Sequence, residues 1–110
     1  MEKKPEQQIL DLVESLLGGD LKGFADDADY VTVAGEWLRG RRELAGRFRS
    51  STLRADRISI RFLRPEVAVV HFQWETAGEP VRQGITTILA SEDRGRWRFD
   101  AAQNTDIVAD

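Results

Sequence analysis

The chain has 110 residues, which is enough for one domain with a buried core and too few for two. Hydrophobic residues make up 41% and charged residues 32%, which is typical of a globular protein and excludes a disordered or fibrous one. The absence of cysteine and the presence of one histidine exclude a disulfide framework, a thiolate nucleophile and a zinc site made of several such residues. We therefore predict a single domain over residues 1–110, with no metal and no cofactor.

The sequence also gives no sign of a membrane or nucleic-acid partner. No apolar run approaches the roughly 20 residues of a membrane-spanning helix, and the opening MEKKPEQQ is too polar to begin a secretory signal, which predicts a cytoplasmic protein. The net charge of -3 conceals a concentration of arginine in the middle of the chain. Because no aromatic residues alternate with these arginines, the pattern indicates a solvated surface and no nucleic-acid site.

Three helices are predicted in the first half of the chain. They run from Pro5 to Leu17, from Asp20 to about Asp26, and from Arg41 to about Ser51. The first has apolar residues at helical spacing and is followed by Gly18-Gly19, which favours a helix end. Asp20 is a suitable N-cap for the second. In the third, Leu44 and Phe48 lie four residues apart on one face.

Elsewhere the apolar spacing changes to every second residue, which predicts strands. A short hairpin, Tyr30–Val33 and Glu36–Arg39, precedes the third helix. A meander follows it, with strands over Ile58–Leu63, Val67–Thr76, Val81–Ser91 and Arg96–Asp106. Helices segregated from a mostly antiparallel sheet of about six strands make an α+β fold.

Strand parity predicts which side chains face the helices. In the last strand Trp97, Phe99 and Gln103 share a face, unless a bulge exchanges the two faces partway. Phe72 and Trp74 share the corresponding face of the second meander strand. This is more aromatic bulk than a thin core needs, and it is compatible with a curved sheet that encloses a pocket.

Three stretches and the first helix carry a resemblance to a known family. The stretches are FADDADYVTVAGEWLRGRREL (24–44), RFLRPEVAVVHFQW (61–74) and GITTILASEDRGRWRFDAAQNTDI (84–107). They resemble the nuclear transport factor 2-like superfamily, the cone-shaped α+β fold that includes ketosteroid isomerase and SnoaL-type polyketide cyclases. The G-x-W-x-x-G element and the closing W-R-F-x-A-A-x-N-T resemble its SgcJ/EcaC-type branch.

The resemblance implies three helices packed on a bent six-stranded sheet, a pocket between them, and often a homodimer through the outer sheet face. It does not imply one activity, because this fold hosts isomerases, cyclases, hydrolases, binding proteins and association domains. The chain also departs from the branch, whose members tend to carry histidines where Phe48 and Gln103 stand. Chemistry that depends on those histidines is not expected here.

Nine side chains are predicted to line the pocket. They are Tyr30, Trp37, Phe48, Phe72, Trp74, Trp97, Phe99, Gln103 and Thr105. Trp37 either forms part of the wall or packs in the core. Gln103 and Thr105 either direct polar atoms into an apolar cup, which is the usual way to orient a small ligand, or make hydrogen bonds at a strand end.

Tyr30, His71 and Asp100 are the candidates for catalysis, and each has a structural alternative. Tyr30 either donates to a developing oxyanion, as a tyrosine does in ketosteroid isomerase, or packs in the core with a hydrated hydroxyl. His71 is a conceivable general base, but strand parity places it on the outer face. Asp100 lies in the closing motif with a parity that directs it away from the pocket.

Two functions of different classes follow from these predictions. The first is a small-molecule-binding domain for a hydrophobic or aromatic compound, with or without a weak isomerase, cyclase or hydrolase activity. The second is a non-catalytic homodimeric association or scaffold module, natural or engineered. The apolar atoms of Val69, Ile85 and Leu89 on the outer sheet face favour the second.

Overall fold

The computed structural model describes residues 3–47 and 53–108. Within these ranges the order of elements is α1 (Pro5–Leu17), β1 (Phe24–Val31), β2 (Trp37–Arg39), α2 (Arg41–Arg47), β3 (Leu53–Arg64), β4 (Val67–Thr76), β5 (Gln83–Asp93) and β6 (Arg96–Asp106). The predicted α+β class is confirmed. In the part of the chain that is described, no helix is long and apolar enough to cross a membrane.

The six strands form one mixed sheet in the order β2-β1-β6-β5-β4-β3. β1 and β6 are parallel neighbours, whereas each of the other neighbouring pairs is antiparallel. The β1–β2 hairpin and the β3–β6 meander therefore meet at the β1–β6 pair. α1 packs on β6 and β3, and α2 packs on β1 and β2, so the helices and the sheet enclose the core between them.

The first helix has the predicted bounds. Its face toward the sheet buries Ile9, Val13 and Leu16 at helical spacing, and full burial of each such side chain contributes about 2 kcal/mol. Pro5 occupies the first turn, where its missing N–H removes no helical hydrogen bond. The N–H of Gly18 donates to the carbonyl oxygen of Glu14 and closes the last turn.

The prediction of a second helix over Asp20–Asp26 is wrong, and the described residues contain two helices instead of three. The side chain of Asp20 accepts a hydrogen bond at 2.9 Å from the N–H of Lys22, so it closes a turn. Strand β1 then begins at Phe24, which pairs with Phe99 of β6. The segment before Phe24 is too short to bury an amphipathic helical face, whereas pairing with β6 buries the phenyl ring.

The third predicted helix, Arg41 to about Ser51, corresponds to α2 over its first seven residues, and its predicted end lies outside the described residues. The Arg41 guanidinium fixes the start of α2 on β1. It donates to the backbone oxygen of Phe24 at 3.3 Å and to the carboxylate of Asp26 at 3.0 Å. Leu44 is buried on the inner side of the helix.

The first meander strand begins earlier than predicted, at Leu53 instead of Ile58. The ladder between β3 and β4 shifts register between Asp56 and Ser59. This bulge contains Arg57, whose φ is 56°. Because a bulge breaks the alternation of apolar and polar residues, the part of β3 before it was not recognisable as a strand.

A second bulge exchanges the two faces of β6. Between Phe99 and Ala101 the ladder with β5 shifts register, which leaves Asp100 as an extra residue. Before the bulge Phe99 is buried, and after it Ala102 is buried. Asn104, two residues further on, therefore lies on the inner face.

Aromatic side chains fill one end of the space beneath the helices. Edge-to-face contacts join Phe24 to Tyr30 at 5.9 Å and to Phe99 at 5.5 Å between ring centroids. Phe62 and Trp97 make the same kind of contact at 5.7 Å. Such pairs contribute about 0.5–1.5 kcal/mol beyond their buried area. These rings therefore belong to the packed core or pack against it.

The hairpin between β5 and β6 gives a first prediction. Asp93 pairs with Arg96, and the two loop residues, Arg94 and Gly95, both have positive φ, at 54° and 82°. This type of turn favours Asn-Gly, because asparagine tolerates the left-handed conformation better than arginine. We expect Arg94→Asn to raise the free energy of unfolding by about 0.5–1 kcal/mol, measured by urea denaturation. Arg64→Asn, at a position with ordinary φ, should give no such gain; equal gains would contradict the explanation.

Candidate functional site

An apolar cavity of about 410 Å³ lies between the two helices and the inner face of the sheet. Each helix and each strand contributes to its lining, because the sheet curves around the space that the helices cover. The apolar lining residues are Leu16, Leu17, Val33, Leu38, Leu44, Leu53, Phe72 and Trp74. These side chains favour contact with an apolar ligand.

One cluster of polar side chains interrupts the apolar lining. It consists of Tyr30 on β1, Thr86 on β5 and Asn104 on β6, and we call it the polar cluster. The Thr86 hydroxyl donates to Oδ1 of Asn104 at 2.6 Å, and Nδ2 of Asn104 donates to the carbonyl oxygen of Val31 at 3.3 Å. A further side-chain hydrogen bond joins Asn104 to the Tyr30 hydroxyl. The amide of Asn104 thus connects three neighbouring strands.

Burial and hydrogen bonding shift the pKa of the Tyr30 hydroxyl in opposite directions. Burial raises its pKa above the ordinary value of 10.0, because the phenolate loses solvation, and the hydrogen bond with Asn104 partly offsets this rise. The net pKa is raised. Tyr30 is therefore protonated at neutral pH and can donate its proton to an acceptor in the cavity.

Tyr30 also gives a prediction that spectroscopy can check directly, because it is the only tyrosine in the chain. We expect the ultraviolet absorbance of phenolate to appear at higher pH in the folded protein than in urea. Folding raises the pKa of Tyr30. The contribution of Tyr30 to the free energy of unfolding is therefore fully present below its pKa in the unfolded state, and it is lost as the pH rises through its pKa in the folded state. Identical titration midpoints in the two states would show that burial does not raise the pKa of the Tyr30 hydroxyl.

The charged side chains that contribute to the lining are half-exposed and paired. Arg47 forms an ion pair with Glu36. One guanidinium nitrogen of Arg82 donates to both oxygens of the Asp106 carboxylate, at 2.9 and 3.0 Å. Each of the three charged residues of the described lining therefore already has a partner of opposite charge.

The predicted pocket residues divide into several groups. Tyr30, Phe72 and Trp74 lie in the cavity lining. Trp97 and Phe99 are instead buried in the packed core described above, where other aromatic rings cover them. The prediction for Phe48 lies outside the described residues.

Trp37 does not form part of the wall, contrary to one prediction, and it is not a core residue either. It is 59% exposed. Its indole N–H donates to the Asp29 carboxylate at 3.1 Å, and the Arg39 guanidinium lies 4.8 Å from the ring centroid. The reason is strand parity, because Leu38 pairs with Tyr30 and takes the inner face of β2.

Gln103 and Thr105 lie on the outer face of the sheet and do not share a face with Phe99, because the alternative of a bulge partway along the strand is the one observed. The bulge at Asp100 reverses the parity of the residues that follow it. Asn104 takes the inner position, and its role was missed because an undisturbed strand directs it outward. Ala101 and Ala102 are both apolar, so the sequence offered no signal of the change in parity.

Two of the three catalytic candidates lie away from the cavity. His71 is exposed on the outer face of β4, as strand parity predicted. Asp100 is half-buried in the β6 bulge, 3.5 Å from the guanidinium of Arg98. Tyr30 alone lies in the lining. Within the described residues no group of three or more acidic or histidine side chains could hold a metal ion.

The arrangement can therefore hold an apolar molecule and hydrogen-bond to a polar atom of it. The one carboxylate in the described lining, on Glu36, is already paired with Arg47. A site for proton abstraction needs a base within reach of the substrate. In the described part of the site, Tyr30 can stabilise charge on an oxygen, but no unpaired base faces it.

No protein-family model matches the sequence, and no curated protein is significantly similar to it. Solved structures do match. An uncharacterised protein with a cystatin-like fold from Caulobacter vibrioides has a TM-score of 0.81 and 20% identity, over 94% of this chain and 89% of that chain. An NTF-2 like protein of unknown function from Shewanella oneidensis has a TM-score of 0.74 and 20% identity, over 94% and 100%.

An enzyme has the same fold. A hexachlorocyclohexane dehydrochlorinase from Novosphingobium barchaimii has a TM-score of 0.76 and 13% identity, over 94% of this chain and 86% of that chain. At such identities the similarity establishes the fold alone. The chain therefore has a nuclear transport factor 2-like, or cystatin-like, α+β fold, as the sequence resemblance predicted.

Proposed function

We propose that this protein binds a small apolar molecule in the cavity between its helices and its sheet. The observation that carries the proposal is a cavity of about 410 Å³ in which apolar side chains adjoin the hydrogen-bonded polar cluster, since small-molecule sites of about 300–1,000 Å³ have this composition. The fold supports it, because a dehydrochlorinase shares the fold. Membership of the SgcJ/EcaC-type branch and a cytoplasmic location belong to the same proposal.

Binding without catalysis is the form of this function that the site supports best. The polar groups of the described lining are the hydroxyls of Tyr30 and three threonines, the amide of Asn104 and paired charges. An isomerase or cyclase needs a base that faces the ligand, and the single histidine of the chain lies on the opposite face of the sheet. Retention of a ligand is therefore the expected activity.

The experiment is a titration with Nile red, an uncharged apolar dye, followed by its fluorescence. We expect saturable binding of one dye per chain. Leu38→Trp adds bulk to a lining side chain and should abolish binding. Trp37→Ala, at the next residue of the same strand, removes an exposed ring and should change the affinity by less than about twofold, because that ring does not reach the cavity.

Thermal melting of both variants separates a blocked cavity from an unfolded protein. If folded Leu38→Trp still binds the dye, the dye occupies another site and the proposal is wrong. Native mass spectrometry of freshly purified protein adds an independent measurement, since a retained small molecule appears as an added mass.

A second function, homodimeric association, is favoured by the outer face of the sheet. Ile85 and Leu89 are each 42% exposed there. Cross-strand pairing places Leu89 beside the half-buried Val69. Exposed apolar side chains grouped on a sheet often mark a protein interface. We propose that this surface joins two copies of the chain, which is compatible with ligand binding on the other face.

Sedimentation velocity of Leu89→Glu tests the association. We expect a dimer for the wild type and a monomer for this variant, because a carboxylate in an apolar interface loses its solvation. Val81→Glu places the same charge at an exposed apolar residue outside the strands and should remain dimeric. A monomeric wild type at micromolar concentration would rule out this second function.

A further inference from the structure

The sheet ends at β3, which leaves one side of this strand without a neighbouring strand. β3 has 12 residues, whereas β2, at the opposite edge, has three. Among the described residues, the backbone of β3 bonds only to β4. Every second residue of an antiparallel edge strand directs its N–H and C=O away from the sheet. A long strand with such unpaired groups can bind another extended chain.

Two bulges divide β3 and expose an apolar side chain at each end of a regular segment. The ladder with β4 shifts register on either side of residues 59–62, which we call the edge segment. Ile58 and Leu63, the residues next to the edge segment, are 39% and 53% exposed. The edge therefore offers a short regular strand with an apolar contact at both ends.

The charge of this edge is positive, although the chain as a whole has a net charge of -3. Residues 57–64 contain Arg57, Arg61 and Arg64 and no acidic residue. All three arginines are exposed, and none of them forms an ion pair within the described part of the chain. The nearest acidic residues in sequence are Asp56 and Glu66, which lie just outside this stretch. A bound chain would therefore meet uncompensated positive charge.

These charges select among the molecules that could occupy the edge. Two copies of the chain joined edge to edge would bring their arginines together, and like charges opposite one another in a sheet are destabilising. A nucleic acid lacks the peptide groups that pair with a strand. Phe62 is also unable to stack on a base, because its ring packs against Trp97. An acidic peptide supplies both the backbone groups and the opposite charge.

We propose that β3 binds an extended acidic segment of a partner protein, which adds to the six-stranded sheet as a further strand. Main-chain hydrogen bonds to the edge segment provide affinity. Arg61 pairs with Val69 on the outer face, whereas Ile60 packs against the core. The partner strand therefore alternates acidic residues on the outer face with apolar residues on the inner face. This interaction is separate from ligand binding in the cavity.

Fluorescence anisotropy with fluorescein-labelled peptides tests the proposal on the full chain. The probe is EVEVEV; KVKVKV reverses its charge, and EPEPEP keeps the charge but removes every second backbone N–H. We expect saturable binding of EVEVEV and no binding of KVKVKV. EPEPEP should bind at least about tenfold more weakly than EVEVEV, because it loses main-chain hydrogen bonds. Oligothymidylate serves as an anion without peptide groups.

Two charge reversals locate the site. Arg61→Glu should weaken the binding of EVEVEV about tenfold, because it places like charges opposite one another. Arg42→Glu makes the same change on the exposed side of α2, which packs on β1 and β2, and should alter the affinity less than about twofold. Thermal melting shows whether both variants are folded.

Hydrogen exchange of the wild type identifies strand addition directly. Bound EVEVEV should slow the exchange of backbone N–H groups in the edge segment and leave those of β2 unchanged, because only new main-chain hydrogen bonds protect an amide in this way.

Each result supports or overturns the proposal. If EVEVEV does not bind, or if folded Arg61→Glu binds it as tightly as the wild type, β3 does not take an acidic chain. If EPEPEP or oligothymidylate binds as tightly as EVEVEV, the edge is only a positively charged surface and strand addition is wrong. Protection of the edge segment that rises with protein concentration in the absence of peptide would assign the edge to a second copy instead.

Discussion

Gly84→Ala is expected to lower the free energy of unfolding by about 3 kcal/mol, the upper end of the usual cost of overpacking a core. A Cβ at residue 84 would lie 2.1 Å from Cζ2 of Trp74 and 2.6 Å from the backbone oxygen of Thr105. Both distances are far below van der Waals contact. The indole ring or the β5–β6 ladder must therefore move, and the backbone cannot move cheaply.

The same change should disturb the cavity, because Trp74 lies in its lining. Urea denaturation gives the stability, and a change in tryptophan fluorescence in a Trp37→Phe background, which retains Trp74 and Trp97, reports the displaced ring. Gly46→Ala is the matched control. A Cβ there meets nothing within 4 Å, and the residue lies in α2, so this variant should gain about 0.5–1 kcal/mol. If Gly84→Ala is as stable as the wild type, the close approach of Trp74 is not real.

Asn104→Leu is expected to destabilise the protein by about 2–3 kcal/mol. Leucine has a similar volume but removes the acceptor for the Thr86 hydroxyl, the donor to the Val31 oxygen and the partner of Tyr30. A buried polar group left without a partner costs more than a hydrogen bond contributes. Chemical denaturation of the variant measures the loss.

A double-mutant cycle with Thr86→Val separates this explanation from a simple packing defect. When both partners become apolar, the unsatisfied pair disappears, so the double variant should lose about 1–2 kcal/mol less than the sum of the single losses. The cycle with Thr87→Val, on the outer face, should be additive. Equal coupling in both cycles would contradict the role assigned to the Thr86–Asn104 bond.

Much of the fold could be predicted where one period continues without interruption. α1 and β4 have the predicted bounds, because their apolar residues follow a single spacing from end to end. β6 also has the predicted bounds, although its bulge interrupts the alternation. The predicted helix over Asp20–Asp26 failed for a physical reason. Asp20 can cap a helix or close a turn, and pairing of Phe24 with the distant β6 decides between them. Local sequence does not contain that information.

The candidate site was predictable only in part. Phe72 and Trp74 were identified because alternation in an undisturbed strand places them on the inner face, and Tyr30 was a candidate through the analogy with the tyrosine of ketosteroid isomerase. Asn104 was missed, and Gln103 was chosen instead, because one extra residue at Asp100 reverses every later side chain. The leucines that α1 and α2 contribute depend on how the helices pack on the sheet, which periodicity within each helix does not determine.

The parallel pairing of β1 with β6 has a consequence for synthesis on the ribosome. Val31 and its partner Asn104 are 73 residues apart in the chain. At translation rates of about 5–20 residues per second, β1 waits roughly 4–15 s after it is made before β6 is available to pair with it. During that time the β1–β2 hairpin exposes an apolar face and an unpaired edge. The nascent chain should therefore be a substrate for ribosome-associated chaperones until β6 has emerged.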